Sequence, residues 1–299
     1  MSGLRTIVGI GEALVDVFAD SERIGGAPLN LAMMAHQLGN RGVIVSRVGQ
    51  DRLGEAIFDT LNQCNMPTDH LQSDPDNATG IIYVETDGPE PRYDIVEHVA
   101  WDFLQWDGDL DSLAAHAQAV CFGTLAQRVA QSRNTIYRFV EAARRAVRLL
   151  DVNFRQDDFD RRELTRSLEI ANALKVNEDE LAQLRTMLLL PDSEAEAASQ
   201  LMKTHRLDWV ALTRGDRGTI VFTPEGSFEG DGAQAGTDGD PVGAGDATAA
   251  ALLHGVVRRW DWPRTITLAN ALGAFVASQP GASPELTDEM KTLAGIEDE

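Results

Sequence analysis

The chain has 299 residues, 43% of them hydrophobic, which suffices for one large α/β domain or two ordinary ones with a sizeable buried core. A formal charge of −21, from 47 acidic and 26 basic residues, argues against nucleic acid or an anionic membrane surface as the main partner, yet leaves room for a nucleotide held by local amides and Mg²⁺. Cys64 and Cys121 stand outside any CxxC or Cys/His cluster, so a disulfide framework or zinc site has no support. The start, Met1-Ser2-Gly3-Leu4-Arg5-Thr6, runs directly into apolar Ile7-Val8-Gly9-Ile10 with no basic n-region or spanning segment, so a cytoplasmic location is expected.

In chain order, short apolar runs alternate with helical patterns. Strands are expected at 5–10, 43–48, 119–122, 149–153, 173–176, 208–213 and 219–223. Helices are expected at 28–38, 53–63, 132–147, 161–171, 178–188, 194–205, 246–259 and 264–278. The alternation predicts an α/β fold: a doubly wound, mostly parallel sheet with helices on both faces and right-handed crossovers, spanning 1–299 as one domain. Pro28 suits a helix N1 position, Gly39 a C′ position and Ser132 an N-cap. One region breaks the alternation. Residues 79–99 read as a hairpin that, with the polar stretch 16–24, forms a small β lid over the carboxyl ends of the strands.

Chemistry concentrates at two glycine-rich helix starts. Gly243-Ala244-Gly245-Asp246 precedes the small-residue run 247–251; its amides and helix dipole suit a phosphoryl group, and Asp246 could take a proton from an attacking hydroxyl. An ordinary glycine turn with a capping aspartate has the same residues, and this stretch alone leaves both readings standing. Gly25-Gly26-Ala27-Pro28-Leu29-Asn30 is the second start. Its glycines allow close approach of a ligand, Asn30 can donate and accept hydrogen bonds to a sugar hydroxyl, and Asp16 can accept from two adjacent hydroxyls.

With these residues in view, nearly the whole chain resembles the ribokinase family of carbohydrate kinases, also called the phosphofructokinase B type. The resemblance rests on Gly25–Ala32 continued by Arg47–Gly54, and on Asp240–Ala247. It also rests on Asp151-Val152-Asn153-Phe154-Arg155 (DxNxR), Asn177–Glu180 (NxxE) and Thr213–Gly218 (TxGxxG). The resemblance implies ATP-dependent phosphoryl transfer, with Asp246 as general base and the amides of Gly243, Ala244 and Gly245 as an anion hole. It further implies that Asn177 and Glu180 organise Mg²⁺, that Thr213, Gly215, Gly218 and Asn270 border the nucleotide, and that Asp16, Gly25, Gly26 and Asn30 hold the sugar beneath lid residues Tyr83 and Tyr93. K⁺ is a candidate cation at loops including Asp240 and residues near Gly281. Without the resemblance, Asn177–Glu180 is better read as a helix cap with acidic first-turn residues.

Three features depart from the family pattern: Pro241, Thr248, and the pair Asp238-Gly239 before Asp240. None removes a group the chemistry needs. The motifs look most like fructokinases, which implies transfer to a primary hydroxyl of fructose. A 2-keto-3-deoxygluconate kinase is the rival, with Arg155 or Arg92 contacting the acid, although Arg155 could instead pair with Asp157 and Asp158. A catalytically silent sugar-binding protein on the same scaffold stays open as a different class, and the lid can supply a homodimer interface.

Overall fold

A computed structural model describes residues 4–85, 92–154, 160–233 and 242–296. The first half runs β1 (Thr6–Ile10), β2 (Leu14–Val17), β3 (Glu22–Gly25), α1 (Ala27–Gln37), β4 (Arg41–Gly49), α2 (Arg52–Gln63), β5 (Leu71–Asp74), β6 (Gly80–Glu85), β7 (Arg92–Ile95), α3 (Gly108–His116), β8 (Ala119–Phe122), α4 (Ala130–Ala142) and β9 (Val147–Asp151). The second runs α5 (Arg161–Ile170), β10 (Ala173–Asn177), α6 (Glu178–Leu188), α7 (Glu194–His205), β11 (Trp209–Thr213), β12 (Thr219–Thr223), β13 (Gly226–Gly230), α8 (Ala244–Val257), α9 (Trp262–Ala277) and α10 (Asp288–Leu293).

Nine strands form the main sheet in the order β13-β12-β11-β10-β9-β8-β1-β4-β5. Pairing is parallel from β5 to β11, and β12 and β13 close the far edge antiparallel. Alternation along each strand gives a core on each face of the sheet, and a third cluster, with Leu29, Ile44 and Ile57, joins α1, β4 and α2. Val8, Ile10, Val120 and Leu174 face α3 to α7, while Ile7, Cys121, Leu149 and Ala173 face α1, α8 and α9. The expected doubly wound α/β fold is therefore present, and no helix among the described residues is long and apolar enough to cross a membrane.

The expected lid is a separate four-stranded sheet, β3-β2-β6-β7. Its base is tied to the main body by side chains on both flanks. Asp51 accepts from Thr79 N at 2.7 Å and Thr79 Oγ1 at 2.7 Å while capping α2 through Leu53 N and Gly54 N. Arg128 grips buried Asp102 at 2.8 Å, donates to Val96 O at 2.7 Å, and lies 4.0 Å over the Trp101 ring.

Several expectations are corrected. β5, β13, α3 and α10 were not expected: β5 (Leu-Gln-Ser-Asp) and β13 (Gly-Ser-Phe-Glu-Gly) lack an apolar run, and α10 has six residues. Ser132 is no N-cap. Val129 occupies that place, and Ser132 is buried inside α4, its hydroxyl donating to Trp101 O (2.7 Å) and accepting from Leu104 N (2.8 Å). Pro28 sits one residue inside α1, after Ala27, and Gly39 follows the helix with φ +72° as expected of a C′ residue. The tip of the hairpin expected over 79–99 falls at residues 86–91, which lie outside the described residues.

Candidate functional site

The chain leaves β1 toward β4 on one side and returns to β8 on the other, so a crevice opens at the carboxyl ends of these strands. Two helix N-termini face each other there. Gly243, at φ +82°, starts α8; a Cβ at this position would fall 2.6 Å from Ala282 Cα and O, so glycine is required. Ala244 and Gly245 fill the first two helical positions, whose N–H groups lack acceptors within the helix. Asp246 follows, 9% exposed. From α1, buried Asn30 donates through Nδ2 to Asp246 Oδ2 at 2.8 Å. Two separate motifs thus converge on one carboxylate.

Beside it lies a buried ion pair that the motif reading left out of the site. Asp151 at the end of β9 and Lys175 on β10 stand opposite each other in register, with Nζ 2.9 and 3.0 Å from the two carboxylate oxygens. Burial alone would lower the Lys175 pKa, but Asp151, Glu180 and Asp246 outweigh it and hold the ammonium above the ordinary lysine range. The same burial, with the neighbouring Asp151 charge, pushes the Cys121 thiol well up, so that cysteine stays protonated. A signal for Lys175 existed: it is a lone charge within an apolar strand, between Leu174 and Val176.

On the lid side, Gly26 has φ +109° and Gly25 leaves space for Asp16, whose Oδ2 lies 2.7 Å from where a Gly25 Cβ would be. Strand register corrects one expectation. Asp16 pairs with Ile82, and Val84 with Tyr93, so Asp16, Ile82, Val84, Tyr93 and Ile95 share one face, on which Tyr93 of the edge strand is 37% exposed. Tyr83 pairs with Val17, belongs to the opposite face and is 47% exposed. Only Tyr93 of the two tyrosines is on the side of Asp16.

Asn177 and Glu180 form a reciprocal capping box at the start of α6: Asn177 N donates to Glu180 Oε2 at 2.7 Å, and Glu180 N donates to Asn177 Oδ1 at 2.8 Å. Thr213 pairs with Asn177 across β11 and β10, and the turn after it places Gly215 at φ +58° and Gly218 at φ +78°. Arg217 on that turn contacts Glu178, which brings the turn against α6. Asn270, expected to line the nucleotide, spends its side chain on the β12–β13 edge. It donates to Gly230 O at 3.0 Å and Asp231 O at 2.9 Å and accepts from Thr219 Oγ1 at 2.7 Å. Arg155, Asp240 and the Arg92 side chain lie outside the described residues. Among the described residues no group of three or more His, Cys, Asp or Glu is arranged to hold a metal ion.

A profile of pfkB family carbohydrate kinases matches residues 7–289. A fructokinase of Salmonella typhimurium is 27% identical over 93% of this chain and 94% of its own. A 5-dehydro-2-deoxygluconokinase of Bacillus cereus is 23% identical over 97% of this chain and 93% of its own. Among solved structures, a fructokinase of Xylella fastidiosa with bound ATP superposes with a TM-score of 0.82 at 22% identity, covering 97% of this chain and 98% of that one.

Proposed function

Because the chain belongs to the pfkB family of carbohydrate kinases, we propose that it transfers the γ-phosphoryl group of ATP to a primary hydroxyl of a small sugar, fructose first among the candidates. The observation that carries this reading is the buried Asp246 carboxylate in the first turn of α8, aimed by Asn30 beside three amides that lack helical acceptors. Asp246 would take the acceptor proton as the hydroxyl oxygen forms its bond to phosphorus, and the bond to ADP breaks with its electron pair on the leaving diphosphate. The Gly243–Gly245 amides would meet the charge on the phosphoryl oxygens. Asp16, Gly25, Gly26, Asn30 and Tyr93 would hold the sugar.

Thr213, Gly215 and Gly218 would border the nucleotide, with Asn270 holding the strand edge beside it. Magnesium keeps most of its waters and binds through few carboxylates plus phosphate, which fits a site whose acidic group is Glu180 in a capping box and not a cage of three ligands. Its chemistry there is to offset phosphate charge. For K⁺, the described part of the candidate loop includes Ala282, packed on Gly243, and Ser283, whose buried hydroxyl has no hydrogen-bond partner among the described residues. A homodimer, if one forms through the lid, would use the face that carries Tyr83.

A keto-deoxy sugar acid is the second reading, favoured by the name of the Bacillus cereus relative, and it would give Arg155 or Arg92 a substrate contact. Mg²⁺- and K⁺-dependent ATP consumption against fructose, 2-keto-3-deoxygluconate, ribose, glucose and adenosine, with Asp246→Asn alongside, separates these. Fructose turnover that collapses in the variant supports the first reading, and preference for the acid supports the second. No turnover of any of the five, with sugar binding retained, would turn the reading toward a sensor.

A further inference from the structure

Lys175 is one of three lysines in a chain whose other basic residues are arginine. Its side chain is 7% exposed on a central strand, where a charge costs more in desolvation than a surface charge would. Alternation turns it to the sheet face that packs on α8, and its Nζ comes up beside the first turn of that helix: a Cβ on Gly245 would lie 3.4 Å away. Both hydrogen bonds of the ammonium go to the Asp151 carboxylate, which leaves at least one of its three N–H groups without a partner among the described residues. A buried pair of this kind adds little stability over apolar residues of the same volume. What it does supply is a fixed positive charge with a spare donor next to the Gly243–Gly245 amides.

We propose that Lys175 is a further phosphoryl-contacting residue, its third N–H donating to a non-bridging oxygen of the group in transit, and that Asp151 is the positioning residue that holds the ammonium beside Gly245. This rests on the kinase reading above. Lys175 neither gains nor loses a proton during transfer: the acceptor proton passes to Asp246, the new O–P bond forms, and the old one breaks toward ADP. The ammonium answers the charge carried by the phosphoryl oxygens. A compact point charge suits this place, since a guanidinium fork would be absorbed bidentately by Asp151.

Removing Lys175 alone strands a buried carboxylate, so the test pairs Lys175→Met with Asp151→Asn and adds Lys175→Gln, which keeps a donor toward Asp151, to cover misfolding of the paired variant. Thermal unfolding is measured first. Calorimetry then compares ADP with the β,γ-imido analogue of ATP, both with Mg²⁺, and steady-state kinetics uses the sugar that the wild type phosphorylates. The expected result is a folded variant with unchanged ADP affinity, analogue binding weakened about 10-fold, kcat lowered about 10²–10³-fold and sugar KM unchanged. A paired variant with wild-type kcat and both nucleotide affinities intact would reduce Lys175 to a structural ion pair and overturn the proposal. So would ADP and analogue weakening together, which places the contact on the diphosphate. Wild-type protein that binds neither nucleotide would overturn the kinase reading itself, and this proposal with it.

Discussion

Asn30 and Asp246 are 216 positions apart in sequence and meet through one buried hydrogen bond of 2.8 Å, from the Asn30 amide to a carboxylate oxygen. The bond holds the Asp246 carboxyl in a set orientation, as a general base needs. Asp246→Asn should keep the fold and lower kcat by about 10²–10⁴-fold. Asn30→Ala should cost about 10- to 100-fold, the worth of one hydrogen bond to a charged group. Asn30→Asp is the sharper variant: two carboxylates would share the site, one would titrate higher, and the acid limb of the kcat/KM profile should move to higher pH. A limb that stays in place would mean that Asp246 is not the titrating base.

The two lid tyrosines make a directional prediction because strand register puts them on opposite faces. Tyr93 shares its face with Asp16 through the Asp16–Ile82 and Val84–Tyr93 pairs, and Tyr83 does not. Tyr93→Ala should raise sugar KM several-fold with ATP KM unchanged, while Tyr83→Ala leaves both as they were. Equal effects from the two substitutions on sugar KM would mean that the lid seats the sugar by some means other than this face.

The difference between what was and was not legible in the chain has a common physical origin. Long apolar strands such as Thr6–Ile10 and the glycine-rich helix starts announce themselves locally, because periodicity and turn chemistry are local. β5, β13 and α10 carry no such pattern and exist because a neighbour offers them an edge or a surface. Ser132 looked like a cap because serine favours caps, but its hydroxyl is needed by the Trp101–Leu104 backbone 28 to 31 residues earlier. Tyr83 and Tyr93 could not be told apart until β2 fixed the register of β6. The Asp151–Lys175 pair needed β9 and β10 to be adjacent, which the sequence implies only through the whole topology.

Asp51 joins the start of α2 to the base of the lid, accepting from Leu53 N, Gly54 N, Thr79 N and Thr79 Oγ1. Partial burial raises its pKa, but the hydrogen bonds from Thr79, Gly54 and Leu53 outweigh this and hold the carboxyl below the ordinary 3.8. Its contribution to stability is therefore present above pH 3.8 and lost as the pH falls through the lower folded value. Asp51→Ala should cost about 3 kcal/mol at neutral pH, as the summed loss of a cap and charged hydrogen bonds. Urea unfolding should show that cost, and hydrogen exchange should show faster opening of the amides of Thr79 and Gly80. A stability loss with those amides unaffected would confine Asp51 to capping α2.

His254 gives a pH prediction of the same sign at a higher range. It is fully buried on α8, with Nδ1 3.0 Å from Asn40 Nδ2 and Nε2 3.1 Å from Ala294 O, its ring edge-on to Trp260. The carbonyl requires a proton on Nε2, so Nδ1 accepts from Asn40 and the ring is neutral. Burial, then the Arg258 charge, bring the pKa down to about 4 from 6.5, against the opposing pull of the Ala294 carbonyl; Arg264 adds to the lowering. The unfolded chain therefore binds a proton that the folded one refuses between these values. Stability from this group is complete above pH 6.5 and declines as the pH falls toward about 4. The loss amounts to about 3 kcal/mol over that range. Urea midpoints for the wild type and His254→Gln, measured from pH 7.5 to 4.5, should converge as the pH drops, since the variant lacks this proton linkage while both share every carboxylate titration. Parallel curves would show that His254 titrates normally in the fold and that the Asn40–His254–Ala294 chain of hydrogen bonds does not hold it neutral.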